Sequence, residues 1–200
     1  MSDNSTERAW RYFLERMKKI YIERRIKIES FEEYLAHRYR DNCYYYSGYA
    51  IMGLKPQDYL VRGDITLKDE WPWQNGGYRH GWVEFMFEDK EYVFDSMLKA
   101  PIPKREYYDC YKPQITYKKS QKEILDTFLN GFGAIKIEDN FWQFKYCVTH
   151  INTKELSYDQ IIEYDRNNGY VPTILMLARI QINKYSSEVT RFIAYSEPSG

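Results

Sequence analysis

The 200-residue chain lacks a net charge and any long apolar run. Its 29 Lys and Arg residues balance 29 Asp and Glu residues, which argues against sequence-independent binding of nucleic acid, because such binding needs surplus cations. The longest unbroken apolar run covers residues 174–178, far short of the about 20 residues that a membrane-spanning helix requires. The first residues form no apolar segment, so we expect no secretory signal and no membrane partner.

Cysteine is also scarce, with Cys43, Cys110 and Cys147 spread over more than half of the chain. No Cys-x-x-Cys or His-x3-His spacing occurs, which argues against a disulfide framework and a structural zinc site. An odd cysteine count in a chain without an export signal is typical of the reducing cytoplasm, where we expect this protein. Taken alone, Cys110 and Cys147 are interpreted as small buried apolar residues.

Aromatic residues are abundant, at 18% of the chain, and include 21 tyrosines. This quantity of large side chains offsets the entropy of ordering and predicts a folded protein. The sequence contains no repeat and no Pro/Gly/Ser-rich linker. We therefore expect a single domain over 1–200, with a core motif region at 41–97 and residues 100–200 as an unassigned extension of that domain.

Helical periodicity dominates the first forty residues. The apolar positions that recur at steps of three and four are Trp10, Phe13, Leu14, Met17, Ile20 and Tyr21, and they predict one amphipathic helix. Ser30 and Glu33 form a capping-box pattern at the start of a shorter helix, with His37 near its end as a solvated residue. Asp41 or Asn42 is expected to cap a third helix that begins at Cys43.

Alternating residues predict a strand at 59–65, a loop at 68–79 and a β-hairpin at 80–97. With a two-residue turn at 88–89, one face of the hairpin is apolar and packs on the core. The other face carries His80, Trp82, Glu84 and Asp95, with Asp95 diagonal to His80 and within side-chain reach.

The C-terminal half gives weaker patterns, and His150 is interpreted there as a structural residue. The patterns of this half predict helices at 120–130 and 157–167, and strands at 141–148 and 190–195. Residues 172–182 fit a helix or a buried strand equally well.

A cysteine at a helix start, a histidine on a strand and an aspartate on the neighbouring strand suit thiol catalysis. A helix N-terminus stabilises the Cys43 thiolate through unpaired N–H groups and the positive dipole end. His80 can take the thiol proton and return it to a leaving amine. Asp95 can fix the tautomer of the imidazole and favour the imidazolium.

Residues 41–97 resemble the transglutaminase-like branch of the papain-like cysteine enzymes. The pattern of that family is a cysteine, then His-Ala-Trp-Val-Glu, then an aspartate after a tight hairpin. The matching pieces are Asn42-Cys43, the passage from Gly53-Leu-Lys-Pro56 to Val61-Arg-Gly63, His80-Gly-Trp-Val-Glu-Phe85 and Tyr92-Val-Phe-Asp95. His80 follows Cys43 by 37 positions and Asp95 follows His80 by 15, and both gaps are typical of the family.

The resemblance implies an α+β fold with a papain-like, transglutaminase-like core, in which N-terminal helices pack on an antiparallel sheet and the nucleophile begins a helix. It implies nucleophile Cys43, acid and base His80, and orienting carboxylate Asp95. The expected activity is that of a peptidase, amidase or acyl transferase working through a thioester on a peptide or protein substrate. No metal or organic cofactor is implied. The backbone N–H of Cys43 is one natural donor of an oxyanion hole.

Several features depart from the family pattern or leave alternatives open. Gly81 replaces the usual alanine, which we expect to be sterically harmless. The tyrosines at 44–46 are expected to crowd or shape the pocket. Glu84 is a second candidate for the partner of the histidine. Trp82 is expected to pack over the imidazole. Residues 71–73 are either loop anchors or the rim of a substrate groove.

One alternative function stays open beside the enzyme. A non-catalytic binding module could retain this fold and have lost the activity, which the intact Cys43, His80 and Asp95 argue against.

Overall fold

The computed structural model describes residues 4–24, 27–36, 43–66, 78–98, 100–131, 135–138, 141–147 and 175–195. These residues form a mixed α+β fold with helices and two sheets that are mainly antiparallel. The α-helices are α1 (Asn4–Met17), α2 (Phe31–Ala36), α3 (Cys43–Gly53), α4 (Lys104–Tyr111) and α5 (Gln121–Gly131). No helix in the described part of the chain is long and apolar enough to cross a membrane.

The first sheet has six strands in the order β2-β1-β11-β10-β9-β8. Its strands are β1 (Ile20–Arg24), β2 (Lys27–Ser30), β8 (Ile135–Glu138), β9 (Phe141–Cys147), β10 (Leu175–Ile182) and β11 (Val189–Tyr195). Only the β1–β11 pair is parallel among the described pairings of this sheet. A strand from the start of the chain therefore lies beside a strand from its end.

The second sheet has five strands in the order β6-β5-β4-β3-β7. Its strands are β3 (Tyr59–Ile65), β4 (Tyr78–Phe87), β5 (Lys90–Phe94), β6 (Ile102–Pro103) and β7 (Gln114–Ser120), and all its described pairings are antiparallel. The β4–β5 hairpin has the predicted register, with Phe87 opposite Lys90. Glu88 and Asp89 both have positive φ, 47° and 58°, as a two-residue type I′ turn requires.

The main core forms where helices meet the apolar face of this second sheet. Phe13 of α1 stacks on Phe94 of β5 with ring centroids 4.2 Å apart, and it also contacts the ring of Phe85 on β4. The same buried cluster includes Ile51 of α3 and Phe192 of β11, so it connects both sheets through the helices. The predicted packing of N-terminal helices on the apolar face of the hairpin is confirmed.

Helix α3 lies inside this core, and buried polar groups hold its C-terminal end. The side-chain amide of Gln121, at the start of α5, donates to the carbonyls of Ile51, Met52 and Leu54 at 3.1, 3.2 and 2.6 Å. Arg16 of α1 donates to the carbonyls of Gly53 and Leu54. The last carbonyls of a helix have no partner within it, so these contacts stabilise a buried end and fix the helix that begins at Cys43.

Several sequence predictions are confirmed. Helix α3 begins at Cys43 and strand β3 spans the predicted residues. Ser30 and Glu33 make both reciprocal contacts of a capping box. Segment 172–182, for which the sequence left helix or strand undecided, forms strand β10 in its described part.

Other predictions are wrong or lie outside the described residues. The first predicted helix extends too far, because α1 ends at Met17 and Ile20 begins strand β1. The β-branched Ile20 and Ile22 favour a strand, and pairing with β11 selects it. Strand β4 begins at Tyr78, inside the predicted loop. The expected cap at 41–42, His37, residues 71–73, His150 and the predicted helix at 157–167 lie outside the described residues.

Candidate active site

The three predicted site residues come together where α3 begins against strand β4. Cys43 is the first residue of α3, His80 lies on β4, and Asp95 directly follows β5. All three are buried, with relative exposures of 6% for Cys43, 0% for His80 and 2% for Asp95. Two elements that are distant in sequence thus supply the thiol and the imidazole, and a tight hairpin supplies the carboxylate.

His80 and Asp95 form a buried ion pair. Nε2 of His80 lies 2.8 Å from Oδ2 of Asp95, but the ring N–H does not point at the carboxylate, so the contact is an ion pair without a hydrogen bond. Catalytic contacts are often poorly aligned before substrate binds. Because Nε2 faces Asp95, Nδ1 is the ring nitrogen left for proton exchange with the thiol of Cys43.

Charge and burial act in opposite directions on His80. Burial lowers the pKa of His80, but the Asp95 carboxylate and the nearby Cys43 side chain outweigh burial and raise the pKa to about 10. An imidazole with a raised pKa holds its proton at neutral pH, and a held proton stabilises a neighbouring thiolate. His80 is therefore expected to carry a proton at neutral pH, with the side chain of Cys43 nearby.

The carboxylate of Asp95 has further partners that orient it. Its Oδ1 accepts a hydrogen bond from the backbone N–H of Met97 at 2.8 Å. Its Oδ2 accepts another from the hydroxyl of Tyr107 at 2.9 Å. Tyr107 lies on α4 and is completely buried. The sequence reasoning missed α4 and Tyr107, because a single buried tyrosine in a polar segment gives no periodic signal.

The alternative histidine partner, Glu84, is engaged elsewhere. Its carboxylate lies 2.8 Å from Nζ of Lys118 and 3.1 Å from Nζ of Lys104, and it accepts a hydrogen bond from Tyr108. Burial raises the pKa of Glu84, but Lys118, Tyr108 and Lys104 outweigh it and leave the pKa lowered. Glu84 is therefore an ionised carboxylate that connects strand β4 to α4 and to strand β7.

Trp82 packs between the groups around Asp95 and the groups around Glu84. It is completely buried, its ring stacks near that of His80 at a centroid distance of 6.4 Å, and it contacts Tyr107 at 5.6 Å. Its indole N–H donates toward Glu84 at 3.4 Å. These contacts agree with the packing interpretation of Trp82.

Gly81 allows β4 to approach the first turn of α3 closely. A β-carbon at Gly81 would lie 2.9 Å from Oγ of Ser47 and 3.3 Å from Cδ1 of Tyr44. Oγ of Ser47 donates to the carbonyl of Cys43 at 2.7 Å, so it is held in place. Glycine therefore fits at position 81, as expected, whereas Oγ of Ser47 occupies the space that the methyl group of an alanine would need in this chain.

The tyrosine run after Cys43 divides between the site and the core. Tyr44 packs against the guanidinium of Arg62 at 5.2 Å, and burial together with Cys43 raises the pKa of Tyr44 to about 12. Tyr46 instead turns into the core, where its hydroxyl donates to the carbonyl of Tyr34. Only Tyr44 of these two lies beside the triad.

The described residues contain no group of three or more His, Cys, Asp or Glu side chains able to hold a metal ion.

No protein-family model, curated protein or solved structure matches the chain.

Proposed function

We propose that this chain is a cysteine-dependent amide-bond enzyme that works through a thioester at Cys43, His80 and Asp95. One observation carries the proposal: Nε2 of His80 lies 2.8 Å from Oδ2 of Asp95 in a buried pair, and the side chain of Cys43 at the start of α3 acts on the same imidazole. A histidine held between a carboxylate and a thiol is the arrangement that activates cysteine nucleophiles.

The fold supports assigning this site to a transglutaminase-like, papain-like core. Helix α3 carries the thiol at its first residue and packs on an antiparallel sheet, and that sheet supplies His80 and, after a tight hairpin, Asp95. The first N–H groups of a helix have no acceptor within it. The N–H of Cys43 can therefore serve as an oxyanion donor.

The reaction proceeds in two balanced halves. The thiolate of Cys43 attacks the carbonyl carbon of an amide, the C–N bond breaks, and His80 donates its proton to the departing amine. Water or a second amine then attacks the thioester, passes a proton to His80, and the C–S bond breaks. Water gives hydrolysis of a peptide or carboxamide, and an amine gives acyl transfer.

Trapping of the acyl-enzyme tests the proposal. The chain is mixed with p-nitrophenyl acetate and with a panel of peptide amides, and intact mass and peptide mapping locate the acyl group. We expect acylation at Cys43 in the parent and its loss in His80→Ala. Cys110, which is exposed, serves as an internal control thiol. Acylation at Cys43 that is equal in the parent and in His80→Ala would reject the proposal.

The burial of the triad favours a second candidate, a binding module that keeps the fold without the activity. Exposures of 6% or less at all three site residues leave little room for a substrate. A small thiol reagent distinguishes the two functions. A catalytic thiol reacts quickly below pH 7, whereas the thiol of a binding module stays unreacted there.

A further inference from the structure

One carboxylate oxygen of the candidate site has two partners. Oδ2 of Asp95 lies 2.8 Å from Nε2 of His80 and accepts a hydrogen bond from the hydroxyl of Tyr107 at 2.9 Å. Oδ1 is held separately by the N–H of Met97. Because Met97 already restrains the carboxylate, the distinct effect of Tyr107 falls on the oxygen that faces His80.

The hydroxyl of Tyr107 stays a donor across the working pH range. Burial and the neighbouring Asp95 carboxylate both raise the pKa of Tyr107 far above its ordinary value, so the phenol does not ionise. A neutral O–H donor beside an anion withdraws part of the charge that the anion otherwise offers to a second partner.

Resting on the function proposed above, we propose that Tyr107 is a positioning residue of the triad, which holds Oδ2 of Asp95 and divides the charge of that oxygen between itself and His80. With only part of the carboxylate charge, His80 is less basic than in an undivided pair. The imidazolium then releases its proton more readily to a leaving amine, which is the step that a very basic histidine slows.

Helix α4 holds Tyr107 in this place through its neighbours on the helix. Lys104 and Tyr108, both on α4, contact Glu84 on the same sheet. Tyr108 therefore offers a matched control, because its hydroxyl also donates to a buried carboxylate of β4 but does not contact Asp95.

Other titratable groups face the His80–Asp95 pair from the packed elements. Cys43 approaches from α3, Tyr111 from α4, and the ring of Tyr78 on β4 lies 5.9 Å from that of His80. Burial and Asp95 raise the pKa of Tyr111, so it stays neutral. The side chain of Cys43 acts directly on the imidazole, and the measurement is therefore made in a Cys43→Ser background.

The experiment is an NMR titration of the His80 imidazole, assigned by comparison with His80→Gln. We expect Tyr107→Phe to raise the pKa of His80 by about half a unit or more, roughly a threefold change in proton affinity. Tyr108→Phe should leave the titration unchanged. In an Asp95→Asn background, Tyr107→Phe should have no further effect, because the carboxylate charge that the two residues share is gone. An unchanged or lowered pKa in Tyr107→Phe, or an equal shift in Tyr108→Phe, would overturn the proposal.

Kinetics on the chain with Cys43 intact separate this inference from the proposed function. Tyr107→Phe keeps the buried ring, so we expect a lower kcat with an unchanged KM, while Tyr108→Phe changes only stability. If the parent forms no acyl-enzyme, the proposed function fails. The titration still decides whether Tyr107 divides the charge of Asp95, because it requires no turnover.

Discussion

Oγ of Ser47 occupies the space that a β-carbon on Gly81 would need, at a distance of 2.9 Å. Because position 81 carries no side chain, strand β4 lies close to the first turn of α3, the helix that begins at Cys43. A glycine next to His80 is thus a packing requirement in this chain, linked to the residue at position 47.

Gly81→Ala should therefore destabilise the protein, by about 1–3 kcal/mol, because it inserts a methyl group into a filled space. Adding Ser47→Ala removes the clashing oxygen and should recover part of that loss. Urea unfolding of the parent, both single variants and the double variant measures this coupling. Strictly additive changes in the free energy of unfolding would show that the two positions do not compete for space.

Asp95→Asn should keep the fold and slow acylation of Cys43 by roughly tenfold or more, because the amide can favour the wrong tautomer of His80. Asp95→Ala should be at least as damaging. Glu84→Gln is the matched control, since it neutralises a second buried carboxylate on the same strand as His80. It should lower stability and leave the acylation rate near that of the parent. Full activity in both Asp95 variants would remove Asp95 from the triad.

The raised pKa of His80, about 10 against 6.5 for a free imidazole, links stability to pH. Protonation of His80 stabilises the folded state fully below pH 6.5, and this contribution is lost as the pH rises toward 10. In a Cys43→Ser background, we expect the stability advantage of His80 over His80→Gln to shrink between about pH 6 and pH 10. Denaturant unfolding of both proteins at both pH values measures this advantage as the difference between their free energies of unfolding, because the other titrating groups are common to both proteins. An advantage that does not change with pH would mean that the pKa of His80 is unshifted by folding.

Local patterns were predictable from the sequence because their causes are local. The capping box at Ser30 and Glu33 and the register of the hairpin around Glu88 and Asp89 depend on residues only a few positions apart. That register, together with the resemblance to transglutaminase-like enzymes, placed His80 and Asp95 on the same face.

Features created by distant parts of the chain were not predictable. Ile20 became part of a strand because Phe192, far away in sequence, lies opposite it. The clash that a β-carbon at position 81 would make depends on how closely β4 approaches α3. Tyr107 lies in a polar segment without apolar periodicity, and the packing of α4 brings its hydroxyl to Asp95.

Control of the Cys43 thiol by His80 is tested most directly by the rate of iodoacetamide alkylation at Cys43 between pH 4 and pH 9, in the parent and in His80→Ala. An unassisted thiol titrates near pH 8.5, so at about pH 6 it reacts very slowly. We predict measurable labelling of Cys43 near pH 6 in the parent, and a profile shifted to about pH 8 or above in His80→Ala. The exposed Cys110 should show the same profile in both proteins. Identical profiles for Cys43 in the two proteins would contradict the triad at its central contact.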